Sequence, residues 1–311
     1  MASRALARPR RHLLARRRHR EYALVWALLL PALAIFALFR ILPLLWNLWL
    51  SFRYWEPGKS SSFAGLDHYE EMFLFDDVFW EALWNTFKYM ATAPLAILLA
   101  LGLALLVDRP IRGRNLYRTI VFLSYPLTVV AVGVIWRWLY DEKVGLINFV
   151  LREVGLIEQP IRFLETYATA LPSVIVAAIW QIVGFFMIIL LTGLQSIPPH
   201  LYEAAAVEGV PRWAQFFRIT LPLLRPSLFL CFVIGIIASF TSFDLIYTMT
   251  GGGPGHATEL LVTYVYKVAF HRTQFDYAAA VTMVMFTLFL VIALIGNWLA
   301  GGDAGRIEVG E

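Results

Sequence analysis

Residues 170–192 read ALPSVIVAAIWQIVGFFMIILLT, with no charged side chain. Crossing a hydrocarbon core of about 30 Å takes roughly 18 or more consecutive, mostly apolar residues in a helix, and this stretch meets the requirement. Comparable runs occupy 22–50, 87–107, 118–139, 226–246 and 278–300. A spanning segment must satisfy its own backbone hydrogen bonds, and none of these runs shows the ten-residue alternation of a barrel strand. The sequence therefore reads as an all-α membrane protein with six transmembrane helices. Composition agrees: 59% of the 311 residues are hydrophobic and 15% charged, against roughly half and a quarter in soluble domains. The run 22–50 is overlong, roughly 43 Å at 1.5 Å per residue. It must tilt, or project so that Arg40 snorkels to the outer interface, with Pro31 and Pro43 as positions for a kink.

Six spans put both termini on one side, and basic residues decide which side. The first 20 positions hold eight arginines: Arg4, Arg8, Arg10, Arg11, Arg16, Arg17, Arg18 and Arg20. That tail, the loops 108–117 and 193–225, the C-terminal tail and Arg118 at a span edge carry sixteen Lys and Arg. The opposite loops 51–86, 140–169 and 247–277 carry seven. Both termini are then cytoplasmic. The organisation is a basic tail 1–21, a transmembrane domain 22–300 and a tail 301–311.

The net charge of +4 thus belongs to topology, not to nucleic acid, because the basic residues lie in a short tail without interleaved aromatics on a foldable domain. The run after the tail is too long for a secretory leader and lacks a small-residue cleavage site. The single cysteine, Cys231, supports neither a disulfide framework nor a cysteine metal site. The six histidines fall in the tail and loops with no metal-ligand spacing, and no nucleophile elbow occurs, so neither metal nor catalytic residues are expected. Gly58-Lys59-Ser60 is not a phosphate loop, since Arg53 stands where the preceding glycine belongs.

In the loop 193–225, Pro198 and Pro199 pre-set a helix start and Gly209 suits its end. Pro211 opens a second short helix, and Pro222 and Pro226 close it and launch the fifth span. Glu203-Ala204-Ala205, Gly209, Ile219 and Pro222 fall at spacings of six, ten and three. This pattern resembles the signature loop of binding-protein-dependent ABC importer permeases; on composition alone the loop reads equally well as a solvated linker. Three further stretches resemble the sugar-importing subfamily of the maltose and glycerol-3-phosphate permease type. They are Leu30-Pro31 through Pro43 to Ser51-Phe52, then Phe63-Ala64-Gly65-Leu66-Asp67 with Tyr69, Phe79-Trp80 and Asn85-Thr86. The third is Thr250-Gly251-Gly252-Gly253-Pro254-Gly255 with Thr258, Tyr264, Ala269-Phe270 and Tyr277-Ala278-Ala279-Ala280. Val210, Glu208 and Asp276 depart from the usual Ala, Asp and Gly.

The resemblance implies a type I ABC importer permease fold in a bacterial inner membrane. It implies a second homologous permease subunit, two cytoplasmic ATPase subunits and an extracytoplasmic solute-binding protein as partners, with a sugar or polyol as substrate. It implies no cofactor on this chain, ATP and Mg being held by the ATPase partner. Glu203, Ala204, Ala205, Glu208 and Gly209 would form the coupling helix that docks on the ATPase. Gly251, Gly252, Gly253 and Pro254 form a flexible outer loop able to receive the binding protein, or a turn alone.

Polar groups inside spans are costly and tend to face the protein interior. Asn85, Gln181, Ser239, Thr241, Ser242, Asp244 and Tyr247 are therefore pathway candidates, with Trp136 and Trp180 as aromatic additions. Helix packing by Ser and Thr, and interfacial belts of Trp and Tyr, are the alternatives. Asp244 either accepts sugar hydroxyls or, the preferred reading, pairs with Arg137. A secondary transporter would show repeated halves with broken helices, and a membrane enzyme would show clustered His or carboxylates at one interface; neither pattern is detected.

Overall fold

The computed structural model describes residues 25–109 and 112–299, so the tails 1–21 and 301–311 lie outside the described residues. The chain opens with α1 (Val25–Leu50) and a short antiparallel hairpin, β1 (Arg53–Tyr54) with β2 (Ser62–Phe63). Then come α2 (Asp67–Leu74), α3 (Asp77–Asp108), α4 (Arg114–Phe122), α5 (Val129–Leu139), α6 (Leu146–Glu153) and α7 (Tyr167–Gln195). The rest is α8 (Pro199–Val207), α9 (Arg212–Leu223), α10 (Arg225–Phe240), α11 (Phe243–Met249), α12 (Leu261–Tyr266) and α13 (Phe275–Leu299). Helices α1, α3, α7 and α13 are each long and apolar enough to cross a bilayer, and α9 with α10 forms a further candidate bent by 63°.

Two expected spans are not single helices. The run 118–139 is split into α4 and α5 by a non-helical segment at 123–128. Pro126 lies in that segment; it has no N–H to give and disfavours the helical region at Tyr125. Thr128 then caps α5 by accepting the Ala131 N–H at 3.4 Å. The run 226–246 breaks at Thr241–Ser242 without proline. Here the Thr241 hydroxyl donates back to the Ile237 carbonyl at 2.9 Å, and the Thr241 N–H makes the last bond of α10, to the same carbonyl. In α1, Pro43 is accommodated by a π turn over Ala37–Ile41 that carries Arg40.

Small residues let the helices approach. Ala96, Ala100 and Ala104 are fully buried against Phe186, Met187 and Leu190 where α3 packs on α7, the close-contact mode favoured between helices in lipid. A Cβ at Gly235 would lie 2.6 Å from Ala93 Cβ, so α10 crosses α3 at that glycine. A Cβ at Gly184 would lie 2.2 Å from the Val121 carbonyl oxygen, and α4 meets α7 there.

The segments expected as outer loops converge at one end. Trp55 N–H donates to Asp276 at 3.0 Å, Asn85 donates to the His256 carbonyl at 2.9 Å, and Leu261 N–H donates to Thr86 at 3.0 Å. Asp76 caps α3 through the Phe79 N–H and also accepts the hydroxyls of Tyr264 and Tyr277. Burial and that donation push the Tyr264 hydroxyl above its ordinary pKa. Asp276 thus fastens the first loop to the start of α13.

Candidate functional site

The two helix breaks meet. Between them lies a cavity of about 490 Å³ lined from α3 by Tyr89 and Thr92, from the first break by Tyr125 and Thr128, and from α7 by Gln181. Ser239, Thr241, Ser242 and Asp244 close it from the second break and its flanks. Discontinuous helices with polar groups at their breaks are the usual way a membrane protein builds a solute site, because irregular backbone is tolerated there only against protein or a cavity. Tyr89 and Ser242 hydroxyls are 2.7 Å apart, and Gln181 donates to the Leu127 carbonyl at 3.2 Å, holding the first break open. Tyr125 stacks on Phe185 with centroids 4.3 Å apart and planes 6° off parallel. The Thr92 hydroxyl is buried without a hydrogen-bond partner.

At the opposite end of α7, α8 terminates as the proline and glycine pattern predicts. Gly209 takes φ +73°, its N–H donates to Ala206 O at 3.1 Å and the Val210 N–H to Ala205 O at 2.9 Å. This is a Schellman closure. Of the loop residues singled out from sequence, Glu203, Ala204, Glu208 and Gly209 are exposed and Ala205 is buried. Val207 is 90% exposed. Tyr202 ties α8 to the following segment through the Thr220 hydroxyl at 2.9 Å.

Residues 92–302 match the family of binding-protein-dependent transport system inner membrane components. The chain belongs to that family. It is similar to a probable ABC transporter permease protein of Pyrococcus horikoshii, 33% identical over 280 residues, covering 89% of this chain and 96% of the relative. The lactose transport system permease protein of Rhizobium radiobacter is 32% identical over 280 residues, covering 88% and 93%. A crystal structure of a bacterial ABC transporter involved in the import of the acidic polysaccharide alginate contains a chain that superimposes with TM-score 0.78. That chain is 27% identical, and the match covers 92% of this chain and 98% of that one. The protein is accordingly the multi-pass inner-membrane permease subunit of an ABC transporter with the type I permease fold, and ATP hydrolysis belongs to a separate subunit.

The permease gathers five sequence-predicted pathway residues, Gln181, Ser239, Thr241, Ser242 and Asp244, around the cavity. It does not bring Trp136, Trp180 or Tyr247 there. Trp136 packs edge-on against Trp180, and Tyr247 stacks on Phe243 beside Tyr266. Asn85 is 1% exposed and serves the outer cap. The expected pair of Asp244 with Arg137 does not form. Arg137 lines a separate outer cavity with Asp141, Glu142 and Arg162, and Asp244 has no ion-pair partner among the described residues. The two are not level: Gly133 packs on Thr248, so α5 carries Arg137 on to Thr250 and Pro254 while Asp244 sits beside Thr128 and Val129.

Sequence reasoning missed Tyr89, Thr92 and Tyr125. Thr92 was open to the same polar-in-span argument as Gln181, and Tyr125 was marked by the adjacent Pro126. The outer glycine loop is packed onto the residues that follow it. Glu259, fully buried, is paired with Lys267 directly under Gly252, and the Thr258 hydroxyl donates to the Gly253 carbonyl at 2.9 Å.

Proposed function

We propose that the permease carries a sugar or sugar-like polyol through this cavity, as one half of a path completed by a second homologous permease. The observation that carries the reading is the cavity itself. Hydroxyls, an amide and one carboxylate converge beside tyrosine faces, which suits a ring with one apolar face and many hydroxyls. The lactose relative and the alginate transporter, by their names, handle saccharides.

In this reading six spans cross the membrane, with the split runs α4–α5 and α10–α11 each counted once and both termini cytoplasmic. The convergence of 51–86, 140–169 and 247–277 at one end supports that topology. An extracytoplasmic binding protein delivers cargo at that end, in reach of Gly251, Gly253 and Pro254. Two ATPase subunits, which hold ATP and Mg, take α8 at the other end; this chain binds no cofactor of its own. Glu203, Ala204, Val207 and Glu208 form the docking face, and Ala205 and Gly209 hold its shape. Closure of the ATPases pushes α8, and rigid-body rocking of the two permeases alternates access to the cavity.

Val207→Asp tests the docking face. The variant inserts and folds normally, because the side chain touches almost nothing in this chain, yet uptake by reconstituted complex falls at least tenfold. Uptake at the wild-type rate would contradict docking at α8.

A further inference from the structure

We infer that the cavity acts as a charge filter, passing uncharged or amine-bearing sugars and excluding uronates and other acidic ones. The inference rests on the sugar reading above and deepens it. Among the side chains that line the cavity, Asp244 is the only one charged at neutral pH; no Lys, Arg or His lines it. Asp244 is exposed and has no counter-ion among the described residues. Arg137, the partner expected from sequence, opens into the other cavity.

The remaining groups are neutral and positioned. Thr92 is 6% exposed and its hydroxyl has no partner. Tyr125 presents one face while Phe185 covers the other. A neutral ring can lay its apolar face on Tyr125 and donate hydroxyls to Asp244 and Thr92; an amine adds charge attraction to the same carboxylate. A cargo carboxylate about 5 Å from Asp244 would be disfavoured by roughly two orders of magnitude at an effective dielectric near 20.

The test uses the assembled transporter with its binding protein, purified from native membranes. Ligand released from it is identified by mass spectrometry. Uptake into vesicles is then compared for that sugar and its C6-carboxylate analogue, with wild type, Asp244→Asn and Asp244→Glu. The released sugar is expected to be uncharged or amine-bearing. The analogue-to-parent uptake ratio rises at least tenfold in Asp244→Asn and stays at the wild-type value in Asp244→Glu. The binding protein is unchanged throughout, so its own preference cancels from the comparison between variants. An acidic sugar in the wild-type complex, or an unchanged ratio in Asp244→Asn, overturns the filter and leaves the sugar reading standing. A ligand that is not a saccharide overturns the sugar reading and the filter with it. Should Asp244→Asn not assemble, Asp244→Ser takes its place with the same expected rise in the ratio, and an acidic wild-type ligand still overturns the filter.

Discussion

Gly209, behind α8, and Gly252, ahead of α12, both adopt left-handed backbone, at φ +73° and +91°, yet their surroundings differ completely. A Cβ on Gly209 would meet nothing within 4 Å, whereas one on Gly252 would lie 2.5 Å from Glu259 Oε2 and 2.7 Å from Lys267 Nζ. Both turns read from sequence as contact loops. One is an open tip whose shape depends only on its own hydrogen bonds. The other is the lid of a buried ion pair and belongs to the packed outer cap. Glycine supplies conformational freedom in both cases, but only at Gly252 does it also make room.

Substitutions sharpen that contrast. Gly252→Val combines a left-handed β-branched residue with displacement of the Glu259–Lys267 pair, and costs more than about 4 kcal/mol. Little folded complex survives detergent extraction, measured as thermal denaturation of what is recovered. Lys267→Met leaves the buried Glu259 carboxylate with only His256 Nδ1, 3.5 Å away, as a basic neighbour, at a cost of about 3 kcal/mol; adding Glu259→Gln in the same chain restores part of the loss, which separates charge from packing. Gly209→Ala costs about 1 kcal/mol through backbone strain alone and lowers the denaturation midpoint far less than Gly252→Val does. Equal effects at Gly209 and Gly252 would dissolve the distinction between open tip and packed lid.

The bilayer-crossing segments were legible because apolar runs such as 170–192 leave the chain few alternatives in lipid. Their breaks were only half legible. Pro126 marks one, although 118–139 read as a single run; no residue type marks the other, since the kind of bond that Thr241 makes to the Ile237 carbonyl recurs at Thr282 and Thr287 inside an unbroken helix. The α8 closure followed directly from Pro199 and Gly209, since each residue acts on local backbone. Azimuth around a helix did not follow. Asn85 faces the His256 carbonyl rather than the cavity, and Arg137 lies beside Thr250 and Pro254 while Asp244 lies beside Thr128 and Val129, so the two open into different cavities. Which face a polar residue presents depends on helix crossings at Gly184 and Gly235, and those are long-range contacts.

The most direct measurement is to tag the chain at its C-terminus, purify it from native membranes in mild detergent and identify its companions by mass spectrometry. An ATP-driven importer predicts a second permease and an ATPase in stable association. A chain that purifies alone as a homo-oligomer and transports in response to an ion gradient would contradict the account.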